Sequence, residues 1–425
     1  MAHIFSPLRG RPMALLWSGL SLSAIGDQLY AVALTWIAVG VLGANAGYLT
    51  ALQAAIVLLV VLGIGRWADR WDSRFSMIGA DLCRAAILLA LVLAWMTSGA
   101  IGGLPLIAAV AVLAMGQSVF QPALQTLLPR LIDDKALLPA ANGLLDATDR
   151  SARLLGPGLI ALIGGWIPVM HFLTLDAASF LASGAAVALI GRRRTAPPAA
   201  SLAREPVLAN IRRGAGAMRG HKLLGFVFAT SGLLNGAWCA AFYLTLPLLM
   251  TQRQVSGPGG SGIAAFGLVI SAYGAANLAA TLVIGSRPMP ARPQGQMFGG
   301  NLLMGLAILL LALAASLPAE LILPGLMAAA ALGAPAGPMR DIPTAVLRQT
   351  RLHHADMGAA MRAYMAVNSG GLLGAMLLVP SLVHAIGASA VLILCGAIYV
   401  VVGLLGLRSF AGWSETESGW PAHQH

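Results

Sequence analysis

The chain has 425 residues, of which 58% are hydrophobic and only 10% charged, with a mean hydropathy of +0.82. Soluble domains carry about a quarter charged residues, so this composition excludes a soluble enzyme, a secreted disulfide scaffold and a nucleic-acid binder, despite a net charge of +11. A polytopic membrane protein remains, and at roughly 20 apolar residues per spanning helix the chain has room for about twelve spans.

Apolar segments bounded by Gly, Pro and Arg clusters fall at 13–40, 46–64, 75–97, 104–128, 138–164 and 168–190. They resume at 222–250, 260–285, 296–316, 320–346, 357–384 and 387–407. The expected fold class is therefore all-α, with 12 transmembrane helices in two six-helix halves. Residues 1–190 form the first half, 191–221 a linker, 222–408 the second half and 409–425 a tail. Fifty glycines suit the close helix packing of membrane bundles.

The N-terminus lacks the pattern of a cleaved signal, so the first span is expected to be retained. Cys83, Cys239 and Cys395 lie apart within apolar segments and read as small buried hydrophobes rather than disulfide partners. Arginine dominates the cations, with only Lys135 and Lys222 as lysines. Arg9, Arg66, Arg130, Arg192, Arg287, Arg348 and Arg408 all fall at the termini or in even-to-odd loops, whereas the opposite loops hold only Arg253. The positive-inside rule then places both termini in the cytoplasm. A bacterial inner membrane is the expected location.

The linker begins basic and Pro-rich and then reads as a short amphipathic helix, with Leu208, Ile211 and Met218 opposed by Arg212, Arg213 and Arg219. Such a helix would lie on the inner membrane surface. The halves also echo each other. Gly26 with Leu34-Thr35 recurs as Gly236 with Leu244-Thr245, and Arg130, Ser151 and Leu154-Leu155-Gly156 recur as Arg348, Ser369 and Leu372-Leu373-Gly374. Two such halves related by an axis along the membrane normal make a transporter architecture, with the substrate near the midplane.

Ionisable residues inside spans are costly and mark sites. Asp27, flanked by Gly26 and followed by Gln28 and Tyr30, is placed near the middle of the first span and reads as a proton-coupling or cation-binding carboxylate. Asp146, Asp149, Arg150 and Arg153 share one face of the fifth span as two i,i+4 pairs. They form either self-neutralised pairs on a polar cleft or a site where an arginine clamps a substrate carboxylate. Arg340 and Asp341 close the tenth span, and Arg362 and Tyr364 open the eleventh. This second cluster is expected to face the first across the cytoplasmic mouth and to act as a gate. Asp176 reads as structural, beside Ser179, while Trp36, Trp238 and Tyr243 are candidates to line a cavity for an aromatic or amphiphilic solute.

The loop after the second span reads Gly65-Arg-Trp-Ala-Asp69-Arg70-Trp-Asp72-Ser-Arg74 and is followed by Asp81-Leu-Cys-Arg84. It resembles the loop signature of the major facilitator superfamily. Asp72, the Asp-x-x-Arg pattern, Phe120-Gln-Pro122 and Asp176-Ala-Ala-Ser179-Phe180 resemble its twelve-span exporter branch of macrolide-efflux and siderophore-export proteins. The resemblance implies a latch of Gly65, Asp69, Arg70 and Arg74, with Asp69 docking near Asp356 when the cytoplasmic side is closed. It also implies a secondary active exporter of a small organic molecule, most simply a proton antiporter, acting as a monomer without cofactor or metal.

The arginines favour a siderophore or similar polar, anionic metabolite, so the expected substrate-binding set is Asp27, Tyr30, Arg150, Arg153, Arg340, Arg362, Trp238 and Tyr243. The alternatives are a multidrug or macrolide efflux pump and a lysophospholipid transporter or flippase. No nucleotide-binding loop or hydrolase motif is present to support direct ATP use or an enzyme.

Overall fold

Helix is the only regular secondary structure among the described residues, as a chain in lipid requires, because helices satisfy their backbone polar groups internally. The computed structural model describes residues 5–59, 72–132, 137–190, 207–287 and 289–413, with only the backbone for 138, 139, 146, 150, 154, 207, 354 and 355. The first six helices are α1 (Arg11–Leu42), α2 (Ala46–Leu59), α3 (Ser73–Ser98), α4 (Gly103–Leu131), α5 (Leu138–Ile163) and α6 (Met170–Leu189). A short helix, α7 (Val207–Gly220), comes next. After it come α8 (Lys222–Gln252), α9 (Gly262–Gly285), α10 (Pro293–Ala314), α11 (Ala319–Gly333), α12 (Ala336–Arg351), α13 (His354–Ile386) and α14 (Ala388–Ser409).

Ten stretches among these residues are long and apolar enough to cross a membrane. The count falls below the expected twelve for two reasons. Helices α1 and α2 form one continuous stretch, Arg11–Leu59, and α5 carries Asp146, Asp149, Arg150 and Arg153 and does not qualify. The tenth expected span is split: α11 and α12 are separate helices meeting at Pro335, which cannot donate the hydrogen bond that would continue α11.

Two units emerge from the contacts. The first comprises Met1–Leu42, Ala55–Arg204 and Pro258–Gly267, and the second Gly43–Ala54, Glu205–Gly257 and Leu268–His425. In unit 1, α1 packs on α5 and α6, and α3 on α4 and α6. The α1–α6 contact is close because α1 is glycine where they touch. A Cβ on Gly19 would meet Ala186 Cβ at 2.8 Å, and one on Gly26 would meet Asp176 Oδ1 at 2.7 Å and Ser179 Cβ at 2.8 Å. One end of the unit is filled by Met13, Leu16, Met77, Phe120 and Leu128. Asp72 caps α3, its side chain accepting from Arg74 N at 3.0 Å, and Gly99 ends the helix at φ 75°, where a Cβ would be strained.

In unit 2, α10 packs on α11, α12 and α14, while α13 packs on α7 and α8. Glycine again permits the closest crossing, since a Cβ on Gly236 would lie 2.6 Å from Gly371 O. The paired Leu-Thr motif differs between the two places. Thr35 sits in regular helix and donates to Ala31 O at 2.8 Å. Thr245 ends a π-helical turn, Ala241–Thr245, and reaches both Ala240 O and Ala241 O at 3.0 Å. The helix expected within the linker is α7. It buries Met218, lays Gly214 on the backbone of Ala359 and leaves Arg212, Arg213 and Arg219 exposed.

Candidate functional site

Unit 1 contains a cavity of about 350 Å³. Its walls follow helical periodicity. Helix α1 contributes Leu20, Ser23, Ala24 and Asp27; α4 contributes Gln117, Phe120, Gln121, Leu124 and Gln125; and α5 contributes Asn142, Leu145, Thr148 and Asp149. These steps of three and four put each set on one face of its helix. Helix α3 adds a single residue, Arg84. Trp17 Nε1 donates to Thr148 Oγ1 at 2.9 Å and ties α1 to α5 beside the cavity.

Arg84 is 2% exposed. Its Nη2 pairs with Asp81, one turn earlier on the same helix, and its Nη1 donates to Gln117 Oε1 at 2.8 Å. The rings of Phe120 and Phe180 hold its guanidinium carbon at 4.7 and 4.1 Å from their centroids, favourable cation–π distances. Gly116 leaves room for the stem, since a Cβ there would meet Arg84 Cγ at 2.7 Å. Among the described residues Arg84 Nε, Asp81 Oδ2 and Asp176 Oδ2 have no hydrogen-bond partner. Asp176 is buried against Gly26, the neighbour of Asp27, and receives a hydrogen bond from Ser179 Oγ at 3.2 Å.

The sequence-expected residues are distributed unevenly around this site. Asp27 and Asp149 line the cavity; Tyr30, one turn beyond Asp27 on α1, is half-buried, and Arg153 is exposed outside the lining. The side chains of Asp146 and Arg150, and all of Gly65, Asp69 and Arg70, lie outside the described residues. Arg74 is described: it donates from Nε to Val187 O at 3.0 Å and from Nη2 to Ala188 O, capping the C-terminal carbonyls of α6.

In unit 2, Arg340 Nε pairs with the adjacent Asp341 Oδ1 at 3.0 Å, and Arg362 Nε donates to Asn210 Oδ1 of α7 at 2.8 Å. Asp356 sits 3.4 Å from Arg213, also of α7. Trp238 and Tyr243 belong to an aromatic group with Phe242 and Tyr273, their ring centroids 5.1–6.1 Å apart. This group surrounds the π-helical turn, a feature that often accompanies functional sites.

Sequence reasoning missed Arg84 and the amides as wall residues. The signal was present: Gln117, Gln121 and Gln125 recur every fourth position within an otherwise apolar segment. A search confined to ionisable groups passes over such a stripe.

A family model described as Major Facilitator Superfamily matches residues 16–369. No curated protein matches the chain. Similar solved structures include the POT family transporter PepTSo, with a TM-score of 0.70 at 12% identity, covering 95% of this chain and 99% of that one. The nucleoside transporter NupG gives 0.70 at 14% identity, covering 94% and 99%. An auto-inhibited POT family peptide transporter gives 0.67 at 13%, covering 97% and 99%. At these identities the likeness speaks for the fold. With the family match extending over most of its length, this multi-pass membrane chain belongs to the major facilitator superfamily and is a transporter rather than an enzyme.

Proposed function

We propose that the protein is a proton-driven exporter of a small polar organic molecule, working by alternating access. The observation that carries this reading is Asp27 on the wall of a cavity whose other polar groups are amides, hydroxyls, Asp149 and Arg84. A carboxylate on a ligand-sized cavity can hold either a proton or a donor group of the substrate. Antiport follows if the two alternate there. Six polar side chains beyond Asp27, Asp149 and Arg84 (Ser23, Gln117, Gln121, Gln125, Asn142 and Thr148) suit a ligand rich in hydrogen-bonding groups. A siderophore or similar polar metabolite meets that description and agrees with the exporter-branch motifs.

Asp149 is a second proton-coupling candidate on the same wall, and Asp146 a third on the same helix. The arginine clusters of α5 and α12–α13 are proposed as cytoplasmic gate elements, with Gly65, Asp69, Arg70 and Arg74 as the latch. Both termini face the cytoplasm of a bacterial cell in this reading, as the arginine distribution directs. The two six-helix halves supply the moving parts.

One observation favours a second reading. The Trp238, Phe242, Tyr243 and Tyr273 group offers ring faces and edges to a flat or amphiphilic molecule, as a multidrug or macrolide efflux pump would. Inverted vesicles with an acidic lumen separate the two. Proton efflux set off by iron-free siderophores supports the first reading, and efflux set off by macrolides or cationic drugs supports the second. Ligand binding without proton movement, shown by phospholipid analogues alone, would replace both with a lipid transporter.

A further inference from the structure

We propose that Arg84 is the anion-recognising residue of the unit 1 cavity and takes a carboxylate or hydroxamate group of the transported molecule. This deepens the functional reading above and rests on it for the identity of the cargo, though not for the existence of the subsite.

The Asp81–Arg84 ion pair is local to one helix. Both partners stand on α3, three residues apart, so their ion pair joins no two helices. A buried pair also returns little net stability, because desolvating two charges offsets their attraction. The pair by itself therefore does not account for the arginine. The arginine is nonetheless held with care. Phe120 and Phe180 fix the guanidinium plane from two helices, Gln117 accepts from one terminal nitrogen, and Gly116 gives the stem its path. Meanwhile Nε is buried and unpartnered among the described residues, and the side chain forms part of the cavity wall.

A planar guanidinium presents five donors, and Asp81 and Gln117 accept from two of its nitrogens. Second hydrogens on the two terminal nitrogens are left for an acceptor arriving from the cavity, and a carboxylate or hydroxamate oxygen supplies one. Asp27 shares the same cavity and selects the opposite chemistry, a hydrogen-bond donor or a cation. The ligand class that satisfies both is dipolar: an anionic or strongly accepting end toward Arg84 and a donor end toward Asp27.

The test uses the full-length protein in lipid nanodiscs. Phenylglyoxal, which adds to guanidinium groups, is applied at alkaline pH, and the 73–98 segment is followed by mass spectrometry. Acetate, acetohydroxamate and neutral acetamide are the probes. Arg74 lies on the same segment, bonded to carbonyls of α6, and serves as the internal reference.

Arg84 is expected to be modified, and acetate and acetohydroxamate are expected to slow that modification several-fold relative to acetamide while leaving Arg74 unchanged. Equal rates with all three probes would overturn the proposal. So would an Arg84 that the reagent never modifies, because a ligand could not reach it either. Protection is read without transport, so the two readings fail separately. Protection without ligand-driven proton flux refutes proton coupling alone. Asp27-dependent flux without protection refutes the Arg84 subsite alone.

Discussion

Asp27 and Arg84 both line the unit 1 cavity, and in the proposed function each makes a separate demand on the ligand. Replacing Asp27 by Asn keeps the volume and a hydrogen-bonding group but removes the titratable proton. Asp27→Asn is therefore expected to retain ligand binding and to lose ligand-driven proton flux to background, read as lumenal pH in inverted vesicles. Flux that persists would move coupling to Asp149 or Asp146. Gln117 acts through Arg84, accepting from its Nη1. Gln117→Leu leaves a buried charged donor without its partner, at a cost of about 1–3 kcal/mol. Thermal denaturation in detergent should show the loss, and an unchanged melting temperature would mean that the bond is replaced.

Helix–helix contacts set where these residues meet. Gly26 is the point at which α1 admits Asp176 and Ser179 of α6. A larger side chain there must push α6 aside, so Gly26→Val is expected to destabilise the protein by about 1–3 kcal/mol. Val at Gly40, where an added Cβ meets no atom within 4 Å, is the matched control and should melt like the native protein. Arg74 binds the last carbonyls of α6 with a charged donor. Arg74→Leu should cost on the order of 1 kcal/mol in stability. If Arg74 also serves the latch, transport in that variant falls further than stability explains.

The helices themselves were legible from hydropathy, because a spanning segment must be apolar nearly throughout. The expected span 13–40 became Arg11–Leu42, and 168–190 became Met170–Leu189. Interruptions were harder to read. The π-helical turn at Ala241–Thr245 and the break at Pro335 depend on local hydrogen bonding that a hydropathy window averages away. Asp27 was legible as an isolated charge in an apolar run. Arg84 was visible only as a motif residue, because its position on the cavity wall depends on how α3 is rotated against α4 and α6. Arg362 was legible as a charge but not as a partner of Asn210, since an exposed guanidinium on a flexible stem takes the nearest acceptor; Arg340, largely buried, pairs with its chain neighbour Asp341.

For the whole molecule, the arginine asymmetry and the proton-coupling site make two independent claims. Orientation rests on Arg253 standing alone against the arginines of the opposite loops. A C-terminal tag should accordingly be cleaved by added protease in inverted vesicles and protected in right-side-out ones. The reverse pattern would contradict cytoplasmic termini. The family match makes the chain a major facilitator superfamily transporter, and alternating access belongs to the function proposed for it.

The most direct measurement is lumenal pH in acid-loaded inverted vesicles on addition of iron-free siderophores, with native protein and Asp27→Asn in parallel. Proton antiport through Asp27 predicts prompt proton efflux that saturates with ligand in the native vesicles and is absent in the variant. Ligand accumulation in native vesicles with no change in lumenal pH would contradict it.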